Sequence, residues 1–483
     1  MYFTKPKLLY ICKFGGWKVI KINDLDWIKN YSILLCLFNL KLHCLKLRIK
    51  VIILIFMILK SSQQKMYKEM HMKKTLLTVL MSSSVIFLTA CGSGDGDSVF
   101  NGPDNGIPVN NIQNPVVSTP VPYTASSIAA GESVVMTYKM LGVNGKEVQA
   151  TSLVITPKTP APAKGWPIVV WAHGTTGVAD QCAPSRSKLN SNIEVMIAQL
   201  LSAGYVVVAP DYEGLGEPSG NELHPFLNLK SEAYSITDAV VAARNYLGVK
   251  VSNQWMAVGH SQGGHAALGA AQYASRASNL VYKGTVALAP ASNLPLVLAG
   301  GESAAGKETD LNKKITALAS LDTFTALITA GLRNPNPSLQ YSQIFKSPTD
   351  NIAKNAEVDC YDVLGQKFGK GMKDYATING SVDNYPRTQT DFMSIPVVKT
   401  FLEKGSQPLQ VKVSTPVIIY QGSLDTTVPK QVTDILYSSA IKQNTSIRYL
   451  TDESGATKWD HGTVYVLNIP NIIADVKSLM PIQ

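Results

Sequence analysis

The sequence lacks a net charge once its first 71 residues are set apart. Those residues contain 13 of the 44 Lys and Arg residues but 3 of the 34 Asp and Glu residues, so the rest of the chain holds 31 of each sign. A neutral body without a basic stripe has no surface that attracts phosphate groups. The composition therefore excludes nucleic acid as a partner, despite the formal net charge of +10 for the whole chain.

The same leading segment lacks an apolar run long enough to cross a membrane. Residues 32–59 are rich in Leu and Ile but are interrupted by Lys, Arg and His side chains. Their longest clean run, residues 51–59, is too short to span a bilayer. We interpret residues 1–71 as a mis-called or non-native leader, and we expect translation to start near Met70 or Met72.

A better-formed export signal follows at residues 72–90. Residues 72–74 are Met-Lys-Lys, residues 76–88 are mostly apolar, and the sequence Leu-Thr-Ala-Cys ends at Cys91. A charged start, an apolar stretch and small residues in this order are typical of a secretory signal. The last four residues resemble the lipobox of bacterial lipoproteins, in which the cysteine is lipidated and becomes the mature N-terminus.

We therefore expect an exported protein that is held in the cell envelope by lipid on Cys91. Gly92 follows the cysteine, which by resemblance to enteric-type lipoproteins favours the outer membrane, facing the periplasm or the surface. A transmembrane anchor is the alternative. Residues 91–120 are rich in Gly, Asn, Asp, Pro and Ser and lack a sustained period, so they predict a flexible tether.

Cysteine and histidine are both scarce, with six and seven residues. Three cysteines lie in the leader and one is Cys91, which leaves Cys182 and Cys360. In an oxidising compartment two cysteines suggest one disulfide, although two separate buried thiols remain an equal alternative. The histidines form no ligand pattern with closely spaced Cys or carboxylates, so we predict no metal site and no cofactor.

From residue 123 onward, strand-like and helix-like segments alternate. Continuous apolar stretches at residues 167–172, 205–209 and 416–420 are typical of strands buried on both faces. The helical segments between them imply right-handed crossovers and a parallel sheet. The pattern predicts an α/β fold with a mainly parallel central sheet that is flanked by helices.

The predicted core of the α/β fold consists of residues 121–292 and 400–483, interrupted by an insertion at residues 293–399. The insertion has polar and helical segments with loop punctuation, which predicts a mostly helical cap over the sheet edge. Its apolar stretch at residues 315–332 either presents a lid surface to lipid or packs on the core. Packing is the favoured interpretation.

Residues 255–265, Trp-Met-Ala-Val-Gly-His-Ser-Gln-Gly-Gly-His, predict a buried strand, a tight turn and the start of a helix. Gly259, Ser261 and Gly263 form a G-x-S-x-G frame, because a serine on a strained strand-to-helix turn needs neighbours without Cβ atoms. Such a turn exposes the serine hydroxyl and aims a helix N-terminus at the reacting oxygen. A glycine-rich turn without chemistry is the alternative, which the rest of the chain must decide.

Two later residues supply partners for Ser261. Asp425 follows the strand-like stretch 416–420 among turn residues, which suits a carboxylate that orients an imidazole and stabilises its charged form. Two histidines follow Ser261 in the sequence, His265 and His461. His265 lies on the helix that begins at the predicted turn and is interpreted as a packing or supporting residue, so His461 is the remaining candidate for the base. The order Ser261, Asp425, His461 matches that of an α/β-hydrolase triad. The weaker candidates for the acid are Asp434, Asp452 and Asp460.

A tetrahedral intermediate on Ser261 needs donors for its oxyanion. One is the backbone N–H of Gln262, and the other should come from the loop at residues 171–177. We assign the second donor to Thr175, with Gly174 as its neighbour. His173 in the same loop is interpreted as a residue that orients the loop.

Four pieces of the sequence together resemble the secretory lipase branch of the α/β-hydrolases. They are His-Gly-Thr-Thr-Gly at 173–177, Asp-Tyr-Glu-Gly-Leu-Gly at 211–216, Gly-His-Ser-Gln-Gly-Gly at 259–264 and Gly-Ser-Leu-Asp at 422–425. The resemblance covers roughly residue 123 to the C-terminus. It implies a serine esterase with a helical cap that hydrolyses acyl esters, often of lipids.

Two other classes of function are compatible with parts of this pattern. A serine peptidase or acyl-peptide hydrolase would use the same triad on an amide bond. A non-catalytic surface-binding lipoprotein would need no intact triad, so the presence of all three residues weighs against it.

We predict that residues 1–71 are absent from the protein made in cells, because the export signal at residues 72–90 has to stand at the N-terminus to act. Mass spectrometry of the isolated protein should detect no peptide from residues 24–60. Peptides from that segment would contradict the assigned start.

Overall fold

The computed structural model describes residues 7–13, 16–22, 106–216 and 222–483. Residues 1–94 and 95–483 form two separate units. In the first unit, strands Lys7–Lys13 and Gly16–Ile22 pair as an antiparallel hairpin. The predicted signal at residues 72–90 and the predicted lipidation site Cys91 lie outside the described residues.

A nine-stranded sheet forms the centre of the second unit, in the spatial order β9-β8-β7-β6-β4-β5-β3-β2-β1. The strands are β1 Val121–Pro122, β2 Glu132–Leu141, β3 Glu147–Thr156, β4 Trp166–Ala172, β5 Val206–Pro210, β6 Val251–His260, β7 Val281–Leu288, β8 Val417–Gln421 and β9 Ile447–Thr451. All neighbours from β9 to β5 are parallel. The strands from β5 to β1 pair antiparallel.

Helices cover both faces of this sheet. The described α-helices, including those of the insertion between β7 and β8, are α1 Ser191–Ser202, α2 Leu229–Leu247, α3 Gln262–Tyr273, α4 Leu294–Lys307, α5 Leu311–Arg333, α6 Tyr341–Ile344, α7 Thr349–Ala353, α8 Tyr361–Asn379, α9 Pro396–Thr400, α10 Lys430–Lys442, α11 Thr463–Val466 and α12 Ile469–Leu479. Apolar side chains of α2, α3 and α10 pack on one face, and those of α1, α11 and α12 pack on the other. The molecule is an α/β fold with a mostly parallel sheet, as the sequence predicted.

The burial of each strand follows from its position. Every residue of β4, β5 and β8 is buried, because helices lie above and below the parallel part of the sheet. In β2, by contrast, buried residues alternate with half-exposed ones, as expected of an antiparallel strand with one wet face. The apolar runs read from the sequence therefore coincide with the strands that position the site.

The cap is the insertion between β7 and β8. It runs from α4 to the π-helical turn Phe401–Gly405 and contributes most of a hydrophobic cluster that also includes Val178, Phe226 and Leu227. Its longest helix, α5, is long and apolar enough to cross a membrane by length and composition, but 78% of that apolar window is buried. The burial supports the interpretation of residues 315–332 as a packed helix.

Residues 106–120 differ from the prediction of a flexible tether at 91–120, which is wrong for this described part. Val116 bridges Tyr138 of β2, and Asn110 Nδ2 donates to Asp238 Oδ1 over 2.8 Å. Asp238 is buried and also accepts from Arg276 Nε over 2.7 Å, while Arg276 Nη1 donates to the Pro108 carbonyl over 2.8 Å. The polar composition that suggested a tether instead satisfies a buried ion pair, because buried charges require partners.

Candidate active site

Ser261 lies on a sharp turn between β6 and α3. Its φ of 60° and ψ of −118° are unusual for a residue with a side chain and cost roughly 1–3 kcal/mol. The turn is held by the Ser261 N–H, which donates to the Leu288 carbonyl over 2.9 Å. A Cβ added at Gly259 would lie 2.1 Å from the Gly263 carbonyl oxygen, and one added at Gly263 would lie 1.9 Å from the Ala172 carbonyl oxygen. The two frame glycines are therefore sterically required.

Three residues far apart in the sequence form a continuous hydrogen-bonded chain. His461 Nε2 lies 2.8 Å from Ser261 Oγ, and His461 Nδ1 lies 2.8 Å from Asp425 Oδ2. Because the Asp425 carboxylate can only accept, Nδ1 carries the proton and Nε2 is left to accept from the serine hydroxyl. The geometry brings together the three residues predicted as nucleophile, base and acid.

Asp425 is held by donors from its own turn. Its Oδ1 accepts the backbone N–H groups of Thr427 over 2.9 Å and Val428 over 2.8 Å, and its Oδ2 accepts Gln421 Nε2 over 3.1 Å. These donors fix the orientation of the carboxylate and leave Oδ2 within hydrogen-bond distance of the imidazole.

The weaker candidates for the acid have other partners. Asp434 pairs with Lys430, and Asp460 accepts from the backbone of Gly462. Asp452 Oδ1 accepts the Ser423 N–H over 2.9 Å, and its Oδ2 accepts the Trp459 N–H. Asp452 thus joins the loop that carries Asp425 to the loop that carries His461.

His260 is a residue of the site that the sequence did not reveal. Its Nε2 lies 2.6 Å from the His461 carbonyl oxygen and donates to it, and its ring packs 4.7 Å from the His461 ring and 4.8 Å from the Tyr465 ring. Burial, reinforced by the nearby His461, lowers the pKa of His260 to about 3. The His260 imidazole therefore stays neutral, and its hydrogen bond fixes the backbone of His461. The position of His260 directly before Ser261 in the G-x-S-x-G frame is the sequence feature from which its place in the site could have been inferred.

The predicted oxyanion donors lie beside Ser261. Gln262 is the first residue of α3, where backbone N–H groups have no partner within the helix. A Cβ at Gly174 would lie 3.6 Å from Ser261 Cβ, and Thr175 lines the same cavities as Ser261. The loop after β4 therefore passes directly over the elbow.

His173 orients this loop, in agreement with its interpretation from the sequence. Its Nδ1 lies 2.7 Å from the Gly174 carbonyl oxygen, and its ring stacks 4.3 Å from Tyr212. The Tyr212 hydroxyl donates to the His173 carbonyl over 2.9 Å. Burial lowers the pKa of His173, so the ring is a neutral structural element.

Cys182 and Cys360 form a disulfide with a Cα–Cα distance of 5.4 Å. Cys182 ends a short 3₁₀ turn just after the loop that follows β4, and Cys360 directly precedes α8 of the cap. Next to the disulfide, the Tyr361 N–H donates to the Thr176 carbonyl over 2.8 Å. The disulfide and this hydrogen bond thus join the cap to the loop that follows β4.

Two cavities meet at Ser261. The larger, of about 640 Å³, extends between α4 and α5, and the smaller, of about 390 Å³, contains His461. The larger cavity is lined by apolar side chains that include Leu227, Leu294, Leu298, Phe324, Ile328 and Val428. No group of three or more His, Cys, Asp or Glu side chains within the described residues is arranged to hold a metal ion.

A mostly parallel sheet whose serine lies on a strand-to-helix turn, with later acid and histidine loops, defines an α/β-hydrolase. Solved structures share this fold: the rice cell wall degrading esterase LipA from Xanthomonas oryzae has a TM-score of 0.54 at 20% identity, covering 72% of this chain and 90% of its own. Candida antarctica lipase A has a TM-score of 0.55 at 16% identity, covering 77% of this chain and 83% of its own.

The family follows from the sequence profile. The profile of the Secretory lipase family matches residues 185–478, more than half of the chain, and this chain belongs to that family. Its class is therefore that of an exported carboxylic ester hydrolase. No curated protein matches this chain in sequence.

We expect His260→Phe to lower kcat for ester hydrolysis roughly 10- to 100-fold, because the backbone of His461 loses the donor that fixes it and small misplacements have effects of that order. His260→Gln keeps an N–H near the position of Nε2 and should recover most of the rate. Steady-state kinetics of the three proteins on one soluble ester measure this effect. Equal kcat for wild type and His260→Phe would contradict the assigned role.

Proposed function

We propose that this chain cleaves carboxylic esters with Ser261 as nucleophile, through an acyl-enzyme. The observation that carries the proposal is the hydrogen-bonded chain from Ser261 through His461 to Asp425, with both contacts at 2.8 Å. It lies at the carboxyl ends of the parallel strands, where α/β proteins place their chemistry. The position of the serine on a strained elbow supports the assignment, because strain of this kind clusters at active sites.

Each group has a defined step in this mechanism. His461 Nε2 takes the hydroxyl proton as Ser261 Oγ attacks the carbonyl carbon, and Asp425 stabilises the imidazolium. The oxyanion then accepts from the backbone N–H groups of Gln262 and Thr175, each worth about 2.7–4 kcal/mol of barrier stabilisation. When the intermediate collapses, His461 gives its proton to the leaving alcohol and the acyl group stays on Ser261. Water then attacks this acyl-enzyme, with His461 taking the proton of the water and returning it to Ser261 Oγ as the acid is released.

The two cavities then take the two halves of the ester. The leaving alcohol has to receive its proton from His461, and His461 lines the smaller cavity but not the larger one. The acyl chain therefore occupies the larger, apolar cavity between α4 and α5. Its volume of about 640 Å³ is within the roughly 300–1,000 Å³ typical of pockets that enclose a drug-sized ligand, so a medium or long acyl chain fits.

The proposed location is the cell envelope, with lipid on Cys91 and the outer membrane favoured. Membership of a secreted family supports export. The order of charge, apolar stretch and Leu-Thr-Ala-Cys supports the lipid anchor.

We expect Ser261→Ala to lower the hydrolysis of p-nitrophenyl esters by at least about 10³-fold, because the nucleophile is removed while binding is preserved. The same assay on amides with equal acyl groups separates an esterase from a peptidase. Faster cleavage of the amide would favour the peptidase. Equal ester rates for wild type and Ser261→Ala would end the assignment of the triad.

Filling the larger cavity should shorten the preferred acyl chain. Ala317 lines that cavity from α5 and is half-buried, so Ala317→Trp places a large ring in the proposed acyl path. We expect kcat/KM for a dodecanoate ester to fall at least about tenfold, while that for an acetate ester stays within about twofold, because the small acyl group does not reach the ring. An equal fall for both esters would place the acyl chain elsewhere.

A further inference from the structure

A buried hydrogen-bonded network joins α2 to α3 next to the turn that carries Ser261. Its members are Glu232 on α2 and Gln262 and His265 on α3, all of them buried. Glu232 Oε1 accepts Gln262 Nε2 over 2.8 Å, and Glu232 Oε2 lies 2.6 Å from His265 Nδ1. The triad mechanism uses none of these three side chains.

His265 links Glu232 to the chain that follows the cap. His265 Nε2 lies 2.9 Å from the Ser406 carbonyl oxygen, which can only accept, while His265 Nδ1 faces Glu232. Each ring nitrogen of His265 therefore has one hydrogen-bond partner, and the two residues form a buried histidine–carboxyl pair. These hydrogen bonds offset the cost of burying the two polar side chains.

Glu232 holds two elements that border the reacting carbonyl. One is the side chain of Gln262, whose backbone N–H is the proposed oxyanion donor. Gln262 Nε2 donates to Glu232 and to His224 Nε2, at 2.8 and 2.7 Å, whereas Gln262 Oε1 has no partner in the described part of the chain. The other is Leu227, which lines the larger cavity with a positive φ of 57° and donates its N–H to Glu232 Oε1 over 3.1 Å.

We propose that Glu232, paired with His265, is a positioning residue that fixes Gln262 and Leu227 and thereby aims the oxyanion donor and shapes the acyl wall. The proposal rests on the proposed function. Within the described residues, Glu232 lines neither of the two cavities and makes no hydrogen bond with Ser261, so it acts through the two residues that it holds. The bond from His265 to Ser406, at the exit of the cap, links the same network to the cap.

The test compares an ester with its thionoester, in which sulfur replaces the carbonyl oxygen. Sulfur is a larger and weaker acceptor, so a well-aimed oxyanion hole favours the oxygen substrate. We expect Glu232→Leu to lower kcat for the ester and to reduce the oxygen-to-sulfur ratio of kcat/KM by roughly tenfold or more. Glu232→Gln keeps an acceptor for Gln262 and should retain most of that ratio.

Glu213→Leu is the matched control. Glu213 is buried as deeply as Glu232 and accepts from the Val143 N–H over 2.8 Å, but it makes no hydrogen bond with Gln262. We expect it to lower stability while the oxygen-to-sulfur ratio stays within about twofold. If Glu232→Leu does not fold, Gln262→Met decides, because it keeps the backbone N–H and the Glu232–His265 pair but removes the amide that Glu232 holds.

Ser261→Ala, measured alongside, separates the two hypotheses. If Ser261→Ala is inactive and Glu232→Leu or Gln262→Met keeps the wild-type ratio, the positioning role is wrong and the serine mechanism stands. If Ser261→Ala hydrolyses the ester at the wild-type rate, the proposed function itself fails. A reduced ratio in Glu213→Leu as large as in Glu232→Leu would also overturn the positioning role, because it would reflect general loss of stability.

Discussion

The close approach of α3 to β4 is the contact on which the rest of the site depends. Gly263 rests on the carbonyl of Ala172 with no room for a Cβ atom. This approach forces the chain through the strained turn at Ser261, and it also brings the loop that follows β4 over the hydroxyl. One steric constraint therefore places both Ser261 and the loop to which the second oxyanion donor is assigned.

A second group of contacts brings the remaining loops to that point. Asp425 and His461 follow different strands, and their loops are joined through Asp452, while His260 holds the backbone of His461 from beneath. Asp425 thus fixes the ring of His461, and the neutral His260 fixes its main chain. These contacts limit the conformational freedom of the His461 side chain beside Ser261.

Much of this was predictable from the sequence, for identifiable reasons. The buried parallel strands leave continuous apolar runs because helices cover both of their faces, and the order of Ser261, Asp425 and His461 follows from the order of strands in this fold. His260 and Glu232 were not predictable in their roles, because each acts through a contact with a residue remote in sequence or on another helix. The segment at 106–120 was misjudged for the same reason, since its polar residues satisfy a distant ion pair.

The disulfide between Cys182 and Cys360 depends on the redox conditions of the compartment in which it forms. It closes a loop of 178 residues, so the bond forms only after the segment before β5 and most of the cap have both been synthesised. Thiols are kept reduced in the cytosol and are oxidised after export. A precursor still inside the cell has Cys182 and Cys360 as free thiols, and the loop beside Ser261 lacks its covalent link to the cap. Export to an oxidising compartment therefore allows the covalent link between this loop and the cap to form.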